Sequence, residues 1–358
     1  MGPGAAATAS ARHRNDDRRE AAAAHGLPGR KRPRMTPAPR EKGAALITVL
    51  VLVAVIGAVA ASALERLRFA TALAANASAV GQARAYADGV EMLVTLQIDD
   101  LLGRDTGSAP LEMKPSGQTR TITLPEGGTV TARIRDGGNC FNLNSLVQGN
   151  AAVGLRARPV GIAQFTGLMR VLGIPEAKAR QVAAAATDWI DSDTAALPAG
   201  GEDEAYRQYR TANSLFVDRS ELRAVSGVTP EVYEAVRPLI CALPVTDLSP
   251  VNVNGLAPDQ APLLAMLSPE QIPADVARAA IAARPPGGWQ SVQAFWNSPA
   301  LADRFPTTET ASQFAVRPHW VRVDIEGDFA GSDMFETSLI DARQAPSRLV
   351  QRSWTRES

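Results

Sequence analysis

The stretch AALITVLVLVAVIGAVAASAL, Ala44–Leu64, decides how the rest of the chain is read. It holds 21 residues without a charge. At about 1.5 Å of rise per residue, such a helix is long enough to cross the hydrocarbon core of a bilayer. Arg40, Glu41, Lys42 and Gly43 stand immediately before it, and Glu65, Arg66 and Arg68 follow. A basic flank with Gly directly before a spanning helix is not the pattern of a soluble-core helix. It is also not a secretory signal ending in an Ala-x-Ala site.

The 358 residues carry 37 Lys or Arg and 37 Asp or Glu. This balance hides an asymmetry, because ten of the basic and four of the acidic residues lie in positions 1–43. The remainder is acidic by about six charges, a poor electrostatic match for nucleic acid. Residues 1–34 are rich in Ala, Arg, Gly and Pro with no apolar period, and read as disordered. Met35 opens the short polar leader MTPAPREKG, so translation is expected to start there. Cys140 and Cys241 are the only cysteines. In an oxidising, exported compartment they could bridge; otherwise they read as two buried thiols.

Beyond Leu64 the helical period continues through Leu67, Ala70, Leu73, Ala77, Val80, Ala87, Val90 and Val94, ending near Gly103. Thr119–Leu124 and Thr129–Ile134 are β-rich runs around Pro125-Glu126-Gly127-Gly128 and read as a hairpin. A second β-rich region lies far downstream. His319–Glu326 alternates with Val321, Val323 and Ile325 on one face, and Met334–Ile340 returns. Strands at both ends of a long helical middle predict one sheet interrupted by an insertion.

That middle is repetitive. LMRVLGIPEAKARQVAAAATDWI from Leu168 parallels ELRAVSGVTPEVYEAVRPLICAL from Glu221, and LLAMLSPEQIPADVARAAIAARP from Leu263 is a looser third copy. The first two each read as a helix, a small break at Gly173 or Gly227, and a second helix opened by Pro175-Glu176 or Pro230-Glu231. Thr229 is expected to cap its helix, and Asp218-x-x-Glu221 forms a capping signature. In nucleic-acid-binding hairpins of this kind the turn holds a phosphate with basic help. Here Glu176 and Glu231 occupy the first turns, which disfavours phosphate.

The second constellation is acidic: Asp188, Asp191 and Asp193 at a helix end, then Glu202, Asp203 and Glu204. Acids at a helix C-terminus oppose its dipole, so the placement needs a reason. A hard cation held by carboxylates is one reading and a solvated acidic loop is the other. No nucleophile arrangement is present: His13, His25 and His319 are the only histidines, and no zinc-protease, nucleophile-elbow or phosphate-loop motif occurs. Catalysis is not expected.

Several of these stretches together resemble one family. KG/AALITVLVLVAVIG resembles the leader junction of type IV pilins and pseudopilins. CFNLNSL, PVNVNGLAPDQAPLLAMLS and the block DWIDSDTAALPAGGEDEAYRQYRTANSLFVDRSELRAVSGVTPEVY resemble the minor pseudopilin K of type II secretion. The resemblance covers about residues 40–340, with Cys140 and Ala257 departing from the usual pattern. It implies cleavage by a prepilin peptidase between Gly43 and Ala44, methylation of the new terminus, and a single-pass protein of the Gram-negative inner membrane with a periplasmic C-terminal domain. Thr48, the fifth residue after that cut, stands where most pilins carry Glu; lacking that acid, the subunit is implied to sit at the filament tip. The resemblance also implies a structural calcium ion, with Asp188, Asp191, Asp193, Glu202 and Asp203 as candidate ligands. The implied partners are minor pseudopilins I, J and H and the major pseudopilin G.

The expected fold is α+β, with a pilin-like long N-terminal helix on a small antiparallel sheet and a helical, SAM-like or helix-hairpin-helix-like domain between sheet strands. The expected boundaries are a cleaved leader at 1–43, a transmembrane half-helix at 44–64, helix and first strands at 65–149, and the insertion at 150–315 in two parts, 150–248 and 249–315. The last strands are expected at 316–345 and a tail at 346–358. Capping and initiating a pseudopilus is the implied function. The rivals are a membrane-anchored helix-hairpin-helix DNA binder of the competence kind and an anchored hydrolase.

Overall fold

The computed structural model describes residues 41–103, 117–124, 128–150, 152–302, 304, 307–329 and 332–354. The leader before Glu41, including Met35, and the hairpin turn at 125–127 lie outside the described residues. The chain divides into two compact units at Arg68/Phe69.

In chain order the elements begin with helix α1 (Glu41–Gly103) and strands β1 (Gln118–Thr123), β2 (Thr129–Asp136), β3 (Phe141–Asn142), β4 (Val147–Asn150) and β5 (Gly154–Ala157). Helices α2 (Pro159–Val171), α3 (Glu176–Ile190) and α4 (Pro230–Val236) follow, then β6 (Ile240–Cys241) and β7 (Val251–Asn252). Helices α5 (Ala261–Ala265), α6 (Ala274–Ala282), α7 (Val292–Trp296) and α8 (Thr308–Ala311) lead to β8 (Phe314–Ala315). The chain closes with β9 (Trp320–Phe329), β10 (Ser332–Asp341) and β11 (Arg348–Ser353).

Helix α1 begins as the long uncharged run and continues without a break. From Leu46 to Leu73 its large apolar residues are exposed. The buried stripe is Ala83, Ala87, Val90, Val94 and Ile98, at steps of three and four that keep one face of a helix inward. The expected stripe from Leu67 onward is therefore shortened. Leu67 and Leu73 keep helical spacing but are exposed.

The stripe packs on a five-stranded antiparallel sheet of order β1-β2-β9-β10-β11. Val130, Ala132 and Ile134 of β2 and Val321, Val323 and Ile325 of β9 supply the inner face. Period-two alternation makes this inevitable once the register is set, and β9 pairs with β2 through Ala132↔Ile325 and Ile134↔Val323. Everything from Gly137 to His319 is thus inserted between two neighbouring strands. The tail expected at 346–358 instead contains a strand, β11, whose residues Arg348–Ser353 pair with β10. Its residues are mostly exposed, so it carries no apolar alternation to announce it.

The insertion closes twice in the same way. FNLN at Phe141 starts a lobe that ends when β3 pairs in parallel with β6. VNVN at Val251 starts a second lobe that ends when β7 pairs in parallel with β8. The asparagines explain the motif. Asn144 Nδ2 donates to the Phe216 and Leu243 carbonyls, and its Oδ1 accepts from the Phe216 amide. Asn254 Nδ2 donates to the Trp289 and Val316 carbonyls, and its Oδ1 accepts from the Trp289 amide. Each amide side chain, buried at Asn144 and half-buried at Asn254, so satisfies irregular backbone that would otherwise be left unpaired. Cys140 and Cys241 form a disulfide across the first lobe, with Cα atoms 5.7 Å apart.

The hairpins form at their glycines. Gly173 and Gly227 both adopt φ above +80°, where a side chain is strained. Thr229 caps α4 by accepting from the Val232 amide. Pro175 precedes the first turn of α3 as its cap residue, whereas Pro230 lies inside the first turn of α4. Asp218 and Glu221 make a reciprocal capping box, on a short 3₁₀ helix at Arg219–Ala224.

Candidate functional site

The acidic site is built at the end of α3. Alanines 183–186 let that helix pack closely in the core, carrying Asp188 and Asp191 inside with it. The chain then leaves as a long loop that must return. Asp188 ties it down, its carboxylate accepting from the amides of Leu197 and Gly201 at 3.1 and 2.7 Å. Gly200 is needed at this point, because a Cβ there would lie 2.0 Å from Asp188 Oδ2. Trp189 packs edge-on against Tyr206 and Tyr209, with ring centroids 5.3 and 5.9 Å away. Asn213, at φ 46°, donates its amide to the Trp189 carbonyl.

This folding brings Asp191, Asp193 and Glu202 together, one carboxylate oxygen from each lying within 4.8 Å of the others. Asp188 spends its carboxylate on the loop backbone. Asp203 turns away: it accepts from the Thr211 amide and hydroxyl at 3.0 and 2.9 Å, which lowers its pKa. Of the five candidates, three converge and two brace the loop around them.

The electrostatics of the trio are strained. Burial, followed by the charges of Asp193, Asp188 and Glu202, pushes the Asp191 carboxyl up to about 7. Burial and the charges of Asp188, Asp193 and Asp203 raise Glu202. Asp191 Oδ1 and Glu202 Oε1 are buried without a hydrogen-bond partner. Orphaned carboxylate oxygens facing other acids fit a cation. The donors are all hard oxygens, and their spacing suits a calcium ion, whose ligands lie about 2.3–2.6 Å away. Neither His nor Cys belongs to the group, so a zinc centre does not fit.

At the other end of the chain, Gly43 and Ala44 lie at the exposed start of α1. The Thr48 hydroxyl donates to the Ala45 carbonyl at 2.9 Å and is satisfied within its own helix. A stretch of α1 is long and apolar enough to cross a membrane, and none of its most apolar window is buried inside the protein. The hairpin turns are not basic: Glu176 pairs with Arg170 at 3.3 Å and with Arg180, and Glu231 is lowered by its hydrogen bond with Thr229. One polar cluster went unread in the sequence, namely Glu91, Glu336, Ser338 and Arg352 between α1 and the sheet. Its signal was present, since alternation from Met334 places Glu336 and Ser338 on the inner face.

Two family models described as "Type II secretion system (T2SS), protein K" match residues 139–245 and 251–317. Type II secretion system protein K of Klebsiella pneumoniae is 36% identical over 322 residues, covering 87% of this chain and 93% of that protein. The protein K of Pectobacterium carotovorum subsp. carotovorum is 32% identical over 327 residues, covering 88% and 97%. Among solved structures, a chain of the GspK-GspI-GspJ complex from the type 2 secretion system of enterotoxigenic Escherichia coli is similar, with a TM-score of 0.64 and 28% identity over 77% of this chain and 96% of that one. The chain belongs to the type II secretion system protein K family, the minor pseudopilins of that system.

Proposed function

We propose that the protein initiates and caps the type II secretion pseudopilus, standing at its tip while folded proteins pass the outer membrane. A prepilin peptidase cuts between Gly43 and Ala44. Ala44–Leu64 anchors the subunit in the inner membrane, and the domain beyond it lies in the periplasm. Thr48 is the observation that carries the tip placement. A carboxylate at this position would neutralise the terminal amine of a neighbouring subunit within the membrane, where an unpaired charge is costly. The hydroxyl here is closed on its own helix and offers no such pairing, so nothing need stack above. The likeness to a chain solved with GspI and GspJ supports pseudopilins I and J as partners, with H and the major pseudopilin G beside and below them. The work is binding and geometry rather than catalysis, and a calcium ion at Asp191, Asp193 and Glu202 holds the loop of residues 191–213 in shape.

The test is co-purification of residues 65–358 with the soluble domains of the other minor pseudopilins. A stable complex with I and J is expected, and failure to form any complex removes the tip reading. Thr48→Glu in the full chain is expected to let the subunit enter the filament body, detectable by crosslinking to the major pseudopilin on both sides.

A further inference from the structure

One polar patch interrupts the apolar face between α1 and the sheet. Glu91 of α1 and Glu336 and Ser338 of β10 are all buried. Ser338 Oγ lies 2.5 Å from Glu91 Oε2 and 2.8 Å from Glu336 Oε1. A serine hydroxyl carries one proton. Both contacts are hydrogen bonds only if a carboxyl proton supplies the other. Glu91 is the charged member, because Arg352 of β11 donates to it twice, at 3.1 and 2.7 Å. The proton therefore sits on Glu336, donated to Ser338, which donates onward to Glu91. The second oxygen of Glu336 is buried without a partner, a position that suits a neutral acid and punishes an anion.

The surrounding charges agree. From α1 come Asp88, 2.8 Å from Arg352, and Glu91; Arg84 lies over the Trp354 ring that Arg352 also approaches. From β11 comes Arg352, 3.4 Å from Glu336. On β9 the residues opposite Glu336 and Ser338 are Ile325 and Val323, which bring no charge. Three acids thus face Arg352, and a neutral Glu336 relieves the excess.

We propose that Glu336, Ser338 and Glu91 form a protonation latch, in which neutral Glu336 docks residues 83–98 of α1 on β10 and β11 and its ionisation loosens that docking. Burial, then the hydrogen bond and charge of Glu91, outweigh Ser338 and Arg352 and push Glu336 up to about 7, well above its ordinary 4.5. The docked state holds the proton more tightly than the undocked one. Docking is therefore strongest below the ordinary value, weakens as pH rises toward 7, and is level beyond it. Glu91 acts on the acid side only. Burial alone would raise it, but the bonds from Arg352 and Ser338 leave it lowered.

The test is amide exchange on the full chain in detergent, with calcium saturating so that the acidic loop does not titrate. Peptides spanning 83–98 and 332–354 are followed from pH 5 to 8 and corrected for intrinsic rates. The opening constant is expected to rise by up to about tenfold per pH unit between 5 and 7, the limit for one proton, then level off. A flat wild-type profile overturns the latch whatever any variant does. Glu336→Gln, neutral at every pH, is expected to stay protected and flat; a folded variant that keeps the slope overturns the proposal. Glu91→Gln is expected to move the sloping window to lower pH, and an unmoved window also counts against it.

Discussion

Asp191→Asn tests the acidic loop directly. In the cation-free protein the Asp191 pKa stands at about 7 against an ordinary 3.8. At about 1.4 kcal/mol per pH unit this sets a ceiling of roughly 4 kcal/mol on what the Asp191 charge costs at neutral pH. Water at the exposed Asp193 screens part of it, so ~2–3 kcal/mol is the expected cost. The sign follows from a raised folded pKa. The associated stability is complete below about 4 and is lost as pH climbs through 7. In chelator, the parent should thus weaken across that window, while Asp191→Asn should weaken less and be the more stable of the two at pH 8. Calcium is expected to reverse the order, because a ligand at one hundred times its Kd adds about 2.7 kcal/mol to a protein that binds it. Urea unfolding followed through Trp189, which lies against Tyr206 beside the loop, reads both effects. A parent whose stability in chelator is flat with pH, or a calcium increment equal in parent and variant, would refute the reasoning.

Other substitutions probe the scaffold. Cys140→Ser with Cys241→Ser opens a loop of sequence separation 101 and should cost about 4–5 kcal/mol by the chain-entropy estimate, seen as a lower urea midpoint relative to the oxidised parent. Gly200→Ala drives a methyl into the Asp188 carboxylate and should cost more than about 2 kcal/mol while weakening calcium binding in a titration. Asn144→Ala strands backbone groups of Phe216 and Leu243 and should cost about 3 kcal/mol or more in thermal unfolding. Arg352→Ala leaves Glu91 buried beside Glu336 without its cation and should lower stability most above pH 7.

Periodicity made the larger elements legible. The uncharged run, the alternation of Val321, Val323 and Ile325, and the paired helix-glycine-helix repeats each follow from one local rule. Leu67 and Leu73 obey the helical period but stay exposed, since a period reports which face is apolar and not how far its cover extends. Strand β11 has little apolar alternation because its residues are mostly exposed, and pairing with β10, the Arg352 contacts and the Gln351 hydrogen bond to the Val217 carbonyl help hold it. Within the acidic loop, residue type and spacing gathered six carboxylates and the family resemblance pointed to five of them, but sorting them needed the path of the backbone. Asp188 meets the Gly201 amide and Asp203 meets Thr211, and neither meeting is encoded by spacing along the chain.

The insertion leaves β2 at Asp136 and rejoins the sheet at Trp320, where the Gly137 amide donates to the Trp320 carbonyl at 2.9 Å. For an unstructured chain, joining points that far apart in sequence costs about 4–5 kcal/mol of closure entropy. A folded insertion already holds its two ends together: Asn139 and Asn252 exchange hydrogen bonds, Asn252 donates to Asp136, and strand β7, which carries Asn252, pairs with β8 at Phe314 and Ala315. The pairing of β2 with β9 is then nearly a local event. The order of folding should therefore run from the inside of the sequence outward: the lobes first, the sheet after them, and the seat for α1 last. A lesion deep in the insertion, such as loss of the disulfide, would delay the sheet without touching any of its strands.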